Sequence, residues 1–133
     1  FAISNANILS AMAESPDLVR LFTRFIATSD SQMSHTLLAA TTFTITQRLA
    51  RWLLMYHDRV DGDEFPITHE VLSIMLGVRR AGVTGQMHVL EGHRAIKASR
   101  GRVLVRDRDI LIRIAAGCYG LPEEEYERLI PAV

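Results

Sequence analysis

Residues 67–92 read ITHEVLSIMLGVRRAGVTGQMHVLEG, and this stretch decides the fold. Its apolar residues recur at helical spacing, but Gly77 interrupts them and the pair Arg79-Arg80 opens a second periodic run. Thr68 suits the N-cap of the first run, and Glu70 in its first turn complements the helix dipole. Gly77 suits the left-handed conformation that closes a helix, because glycine adopts it without a Cβ clash. Two helices joined by a short glycine turn make a helix-turn-helix. In its DNA-binding form the second helix enters the major groove with its N-terminal residues at the base edges. Two arginines at that tip are therefore placed where a helix first meets the duplex.

Helical phase supports this reading. Val83, Met87 and Leu90 are expected to face inward, opposite Val71, Leu72, Met75 and Leu76. Arg80, Ala81, Thr84, Gly85 and His88 then form the outer face. Arginine can donate two parallel hydrogen bonds to the O6 and N7 acceptors of guanine, a pairing worth about 1–3 kcal/mol of discrimination. Thr68 and the first amides of its helix suit a phosphate.

Working outward, AIKASRGRVLVRD (residues 95–107) predicts a hairpin: a strand near Ile96, a Ser99-Arg100-Gly101 turn, then Val103-Leu104-Val105. Such a wing puts Arg100 and Arg102 within reach of phosphates, which position a protein but carry no sequence information. DILIRIAAGCYG predicts a terminal amphipathic helix, and PEEEYERLIPAV a solvated tail with an apolar end. Upstream, Thr44 or Thr46 caps ITQRLARWLLMYHDRV. Leu49, Trp52, Leu53 and Tyr56 share one face of it, with Arg48, Arg51 and Arg59 largely on the other. Asp61-Gly62-Asp63 breaks it as a turn. Ser15-Pro16 opens a long helix, Ser15 as cap and Pro16 at its first position. Leu18, Leu21, Phe22, Phe25, Ile26, Met33 and Leu37 recur along it around a small, polar middle. A helix of that kind usually packs on a partner, often its symmetry mate. The fold class expected is mainly α with a small β-hairpin: a long dimerisation helix followed by a winged helix-turn-helix.

Bulk properties agree. The 133 residues suffice for one ordinary domain or a small domain with an appended helix. With 48% hydrophobic residues, four prolines and eight glycines the composition is that of a packed chain, which excludes disorder. No stretch reaches the roughly 18 uninterrupted apolar residues of a membrane span, and no basic flank precedes an apolar run as in a signal peptide. One cysteine, Cys118, excludes an internal disulfide and points to a reducing, cytoplasmic setting. The chain opens with Phe1 and not methionine, so an upstream part is expected.

Fifteen basic residues balance fifteen acidic ones, yet the charge is uneven. Between Arg79 and Arg108 there are eight basic residues and two acidic, a net of +6; the rest carries seven against thirteen, a net of −6. A basic concentration on the proposed reading helix and wing suits a polyanion.

RLARWLLMYHDRV, ITHEVLSIMLGVRRAGVT, SRGRVLVRDRDIL and Cys118-Tyr119 together resemble the C-terminal part of Crp/Fnr-type transcription regulators, from about Thr44 to Gly120. The resemblance implies a β-barrel sensor upstream, a dimer helix and then the winged helix. It divides the chain into residues 1–15 as the sensor's remnant, with 1–8 the last edge of its barrel, 16–42 as dimerisation helix, 43–120 as DNA-binding domain and 121–133 as C-terminal tail. By motif position it puts Arg80, Ala81 and Gly85 at base-reading sites, and Thr68, Arg79, Gly82 and His88 near phosphates. Ala81 and Gly85 carry no hydrogen-bonding side chain, which leaves Arg80 as the strong direct reader, with Thr84 and Gln86 in support. Arg94 stands where such proteins commonly have a turn-forming glycine, so that turn is expected to be strained or differently shaped. Ala39–Thr42 is the expected hinge. The implied partners are double-stranded DNA, a second copy of the chain and RNA polymerase as a further candidate. No membrane and no cofactor or metal within these residues is expected, and the effector belongs to the upstream domain.

Two other readings weigh less. His88-Val-Leu-Glu-Gly-His93 superficially resembles a zinc protease motif, but its histidines are five apart rather than the four that one helix face requires. Cys118 lacks any nucleophile pattern and reads as core, so no enzyme is expected. A winged helix that binds only proteins is the alternative, and it leaves the basic segment without a role.

Overall fold

The computed structural model describes residues 2–130. Its elements run α1 (Asn5–Glu14), α2 (Pro16–Thr42), α3 (Ile45–His57), β1 (Glu64–Pro66), α4 (His69–Leu76), α5 (Arg80–Gly92), β2 (Ile96–Ser99), β3 (Arg102–Val105), α6 (Arg108–Ala115) and α7 (Leu121–Leu129). They fall into two compact units. One runs from the N-terminus to Thr36 and takes up the chain again from Leu121; the other is Leu37–Gly120. No helix among the described residues is long and apolar enough to cross a membrane.

In the first unit the Ser15 hydroxyl accepts from the Leu18 amide at 3.3 Å and so opens α2 at Pro16. Two expectations change here. Residues 5–14 are a helix capped by Ser4, whose hydroxyl accepts from Asn7, and not the edge of a barrel. Only residues 2–4 of the expected edge precede it among the described residues, Phe1 lying outside them. The acidic C-terminal stretch is largely exposed as expected, but it is helical. Leu121–Leu129 forms α7, with Pro122 buried and the Leu129 carbonyl accepting from Arg24 Nη1 of α2 at 3.5 Å. A proline in the first turn and glutamates at 123 and 124 favour a helix start there. The apolar end at 131–133 lies outside the described residues.

The second unit is the winged helix. Thr44 opens α3 with a full capping box, its hydroxyl taking the Gln47 amide while the Gln47 side chain returns to the Thr44 amide. Leu49, Leu53, Leu72, Leu76, Val83, Met87, Leu90, Ile96, Val103 and Leu111 fill one core. Tyr56 stacks on Phe65 with ring centroids 4.8 Å apart. Burying each such side chain contributes about 1.5–3 kcal/mol, so this core sets the positions of α4 and α5. Arg51, expected on the outer face of α3, is instead buried at 1% exposure. Period alone misplaces it, because α3 is enclosed on more than one side: Ala50, Leu54 and Met55 are buried as well.

The sheet has three antiparallel strands in the order β1-β3-β2, not the two of a simple hairpin. β1 is only Glu64-Phe65-Pro66, with Phe65 buried between exposed neighbours and paired with Val103. Pro66 is tolerated because β1 is an edge strand. A three-residue strand ending in proline offers too little alternation to be seen in sequence. The β2–β3 turn forms as expected, with Gly101 at φ 73 between Ser99 and Arg102. α6 starts at its cap Asp107, which accepts from Ile110, and ends at Ala115. Cys118 therefore lies in the turn beyond the helix, and it is buried, as a core residue should be.

Candidate nucleic-acid interface

α4 and α5 are joined by a glycine-closed turn. Gly77 holds φ 64, ψ 36, its amide reaches the Ile74 carbonyl at 3.2 Å, and the Val78 amide reaches the Ser73 carbonyl at 3.0 Å. This bond pair is the Schellman closure, and only a left-handed residue permits it. Thr68 caps α4 by accepting from the Val71 amide at 3.2 Å. Arg48 of α3 donates to the Leu76 carbonyl, tying the other end of α4 to the core. Arg79 is the N-cap of α5 in extended conformation but makes no side-chain cap bond.

Val83, Met87 and Leu90 are buried, as phase predicts. On α4 only half of the expectation holds: Leu72 and Leu76 are buried, whereas Val71 and Met75 are exposed, together with Ile74 at 75%. A two-turn helix resting on α5 and α3 buries only one narrow side.

The opposite side of α5 presents Arg80, Ala81, Gly85 and His88, all exposed, with Thr84 half-buried among them. Gly82 borders this strip, and a Cβ at either Gly82 or Gly85 would meet nothing within 4 Å. Neither glycine is demanded by internal packing, and both leave the helix surface low. Thr84 donates to the Arg80 carbonyl at 3.2 Å and lies 2.9 Å from His69 Nδ1. Thr68 is thereby brought next to the strip through its chain neighbour. His88 Nδ1 pairs with Glu91 at 3.3 Å on the surface. Gln86 stands apart, half-buried and facing α3, where its carboxamide oxygen accepts from the Thr46 hydroxyl.

On the wing, Arg100 is exposed at the tip, while Arg102 Nε donates to Glu64 of β1 at 3.1 Å. Glu91 Oε1 accepts the Ala98 amide at 2.8 Å, fixing β2 against α5. Among the described residues, Arg79, Arg80, Arg94, Lys97, Arg100 and Arg106 have no ion pair or side-chain hydrogen bond within the chain. Uncommitted cations on a helix tip and wing can meet a polyanion without first breaking internal bonds.

Sequence reasoning missed His69. Nothing in periodicity pairs positions 69 and 84, fifteen apart; only the packing of α4 across α5 does. Arg94 shows the opposite outcome. It adopts φ 60, its amide reaching the Glu91 carbonyl at 2.8 Å and the Ala95 amide the Leu90 carbonyl at 3.1 Å. The left-handed turn is kept although the glycine is not.

The dimerisation candidates lie along one broad face of α2, about 160° wide at 100° per residue, with Leu21 and Phe25 at one margin, Ile26, Met33 and Leu37 towards the other, and Leu18 and Phe22 between. Leu21, Phe25, Ile26, Met33 and Leu37 are each at least half exposed, and Leu18 and Phe22 are half-buried. The expected hinge Ala39–Thr42 is the last turn of α2, with Ala39 buried in the winged-helix core. Only Phe43 and Thr44 separate α2 from α3.

Residues 47–114 match the Crp-like helix-turn-helix domain. Among solved structures, a protein from Eubacterium rectale assigned to the Crp/Fnr family of transcriptional regulators is 22% identical, with a TM-score of 0.63 over 83% of this chain and 51% of its own. The catabolite activator protein of Thermus thermophilus is 27% identical, with a TM-score of 0.52, covering 77% of this chain and 46% of its own. A second Thermus thermophilus protein, a transcriptional regulator of the CRP family, is 22% identical, with a TM-score of 0.62 and coverages of 71% and 52%. No curated protein sequence matches. The chain spans about half the length of the solved structures it resembles.

Proposed function

The chain belongs to the Crp-like helix-turn-helix family and has the fold of Crp/Fnr-type transcription regulators, and on that premise we propose that it is a sequence-specific DNA-binding regulator. It acts as a homodimer on a palindromic operator, reads bases through α5, and is controlled by an effector-binding domain upstream. The observation that carries this reading is the uncommitted Arg79-Arg80 tip of α5, held beyond the glycine-closed turn and continued by the exposed strip Ala81, Thr84, Gly85 and His88. Arg80 reads guanine; Thr68, Arg79, Arg100 and Arg102 meet phosphates; Gly82 and Gly85 let the duplex approach the helix surface. Thr84 and Gln86, both tied into internal hydrogen bonds, serve the interface by fixing the helix. Residues 16–42 form the dimer contact, and the upstream domain biases the hinge at Ala39–Thr42. Binding DNA needs no catalytic group, and the work is cytoplasmic.

Fluorescence anisotropy on a pool of randomised duplexes, followed by sequencing of the retained fraction, tests the reading. Enrichment of an inverted repeat, with affinity falling steeply as salt rises, is the expected result. The exposed apolar stripe Val71, Ile74 and Met75 on α4 favours a second reading, a winged helix that docks proteins. Absence of DNA binding even at low salt would leave that reading in place of the first.

A further inference from the structure

We propose that DNA binding by this chain takes up a proton at His69, so that the strength of the interface follows pH. The inference rests on the DNA-binding reading above and adds to it a residue and a control.

His69 Nδ1 lies 2.9 Å from Thr84 Oγ1, and Thr84 Oγ1 lies 3.2 Å from the Arg80 carbonyl. A threonine hydroxyl has one proton to give. If that proton goes to the Arg80 carbonyl, the histidine contact holds only when Nδ1 itself carries a proton and donates. Both bonds coexist only in that state. In the neutral ring Nδ1–H then leaves Nε2 as a bare acceptor. A phosphate oxygen is also an acceptor, so in that tautomer a neutral His69 has no donor for it; the other neutral tautomer offers Nε2–H only by turning the Thr84 hydroxyl from the Arg80 carbonyl to Nδ1. The imidazolium keeps Nδ1–H on Thr84 and presents Nε2–H with a positive charge.

The ring is half-buried and packed against the strip that carries Arg80 and Thr84. Around it, Glu70 follows on α4 and is exposed, and Arg79, Arg80 and His88 carry the charges of α5. His88 is paired with Glu91, and Arg48 of α3 is committed to the Leu76 carbonyl at the far end of α4. No ion pair joins any of these groups to His69 among the described residues. An anion brought to Nε2 therefore favours the charged ring without displacing an existing partner. Histidine is the side chain whose charge ordinarily changes between about pH 5 and 8. Since the bound state holds more protons than the free one, affinity rises as pH falls.

The test is the dissociation constant for the selected palindrome, from about pH 8 to about pH 5.5 at fixed ionic strength, for the wild type, His69→Gln, His69→Arg and His93→Gln. Circular dichroism and melting temperature check that each variant folds. The wild type should tighten as pH falls by up to about tenfold per pH unit for each contacting protomer. His69→Gln should flatten that slope, His69→Arg should bind tightly without it, and His93→Gln, an exposed histidine at the far end of α5, should keep it. A flat wild-type profile, or a slope that survives in both His69 variants, overturns the proposal while leaving DNA binding intact. No DNA binding at any pH overturns the underlying reading and the proposal with it.

Discussion

Gly77 and Arg94 hold the same backbone conformation, φ 64 and φ 60, one closing each helix of the helix-turn-helix. Each is followed by the same pair of capping hydrogen bonds, Gly77 to Ile74 and Val78 to Ser73, Arg94 to Glu91 and Ala95 to Leu90. The left-handed region costs a residue with a Cβ about 1–2 kcal/mol, so the two sites respond oppositely to exchange. Gly77→Ala should destabilise the protein by about 1 kcal/mol, and through the backbone alone, because a Cβ there meets nothing within 4 Å. Arg94→Gly should stabilise it by about 0.5–1 kcal/mol, the relief being partly offset by glycine's greater freedom when unfolded. Urea denaturation with unchanged m-values measures both. Equal shifts of the same sign would contradict the account.

That pair also marks what is legible in the sequence. Gly77 is readable because glycine after an apolar periodic run has one common physical cause. The need for a left-handed residue at 94 comes only from resemblance, since arginine signals no such turn. The helix-turn-helix, its cap Thr68, the buried face Val83-Met87-Leu90 and the wing turn are set by local chemistry and appear as read. Local chemistry does not encode a three-residue edge strand, the burial of Arg51 inside an all-round packed helix, or the contact of His69 with Thr84. In α7 the run of glutamates masks the helical start given by Pro122.

Asp58, Arg108 and Tyr119 form a closed triangle joining the end of α3 to the start of α6. Arg108 Nη2 donates to Asp58 Oδ1 and Tyr119 Oη, both at 2.7 Å, and Tyr119 Oη donates to Asp58 Oδ2 at 2.8 Å. Desolvation is the largest single influence on the Arg108 guanidinium and disfavours its charge. The hydrogen bond and charge of Asp58, with those of Tyr119, together outweigh it and raise the pKa. Tyr119→Phe removes two of the three sides and should cost about 1 kcal/mol. Asp58→Ala should cost more, because it leaves Arg108 half-enclosed without its carboxylate. If thermal melts rank the two variants the other way, the triangle is not held as described.

Val19, Ile26 and Met33 repeat at seven-residue spacing on α2, and all three are exposed. A seven-residue apolar repeat keeps one side of a helix facing a parallel partner. Met33→Asp should therefore convert a dimer to a monomer, whereas Leu21→Asp, at the far margin of the apolar face, should do so less. Sedimentation equilibrium at tens of micromolar protein distinguishes them. A wild type that is already monomeric there would remove this interface from the proposal.

Arg80 and Arg102 should fail differently. Arg80→Ala should weaken the selected site by about 1–3 kcal/mol and relax preference at one position per half-site. Arg102→Ala should weaken all sequences alike and reduce the salt slope by about one. Glu64 pairs with Arg102 at 3.1 Å, and with both side chains about half exposed that pair contributes little to stability, so a phosphate would have to compete with it. Glu64→Gln should accordingly tighten binding to every sequence without changing preference. Identical behaviour of the two arginine variants would erase the division between reader and anchor.

The spacing of the half-sites follows from how the two copies are held. Symmetric recognition helices meet successive major grooves on one side of the duplex only if the half-site centres lie one helical turn apart, roughly 34–36 Å. α2 continues unbroken to Thr42, and Ala39 belongs to the winged-helix core, so the last turn of α2 is already part of that unit. Within the unit only Phe43 and Thr44 separate α2 from α3, and Thr44 is itself fixed by the capping box of α3. If two copies pair through α2, a link that short should keep both recognition helices on one side of the duplex. Inserting about five base pairs, half a helical turn, between the half-sites should reduce affinity to that of a single half-site, while changing the sequence between them at constant length should have a smaller effect. Anisotropy titrations on the two sets of duplexes decide it. If the lengthened site binds as well as the parent, the two copies are not rigidly held, and control of the operator spacing has to come from elsewhere than α2.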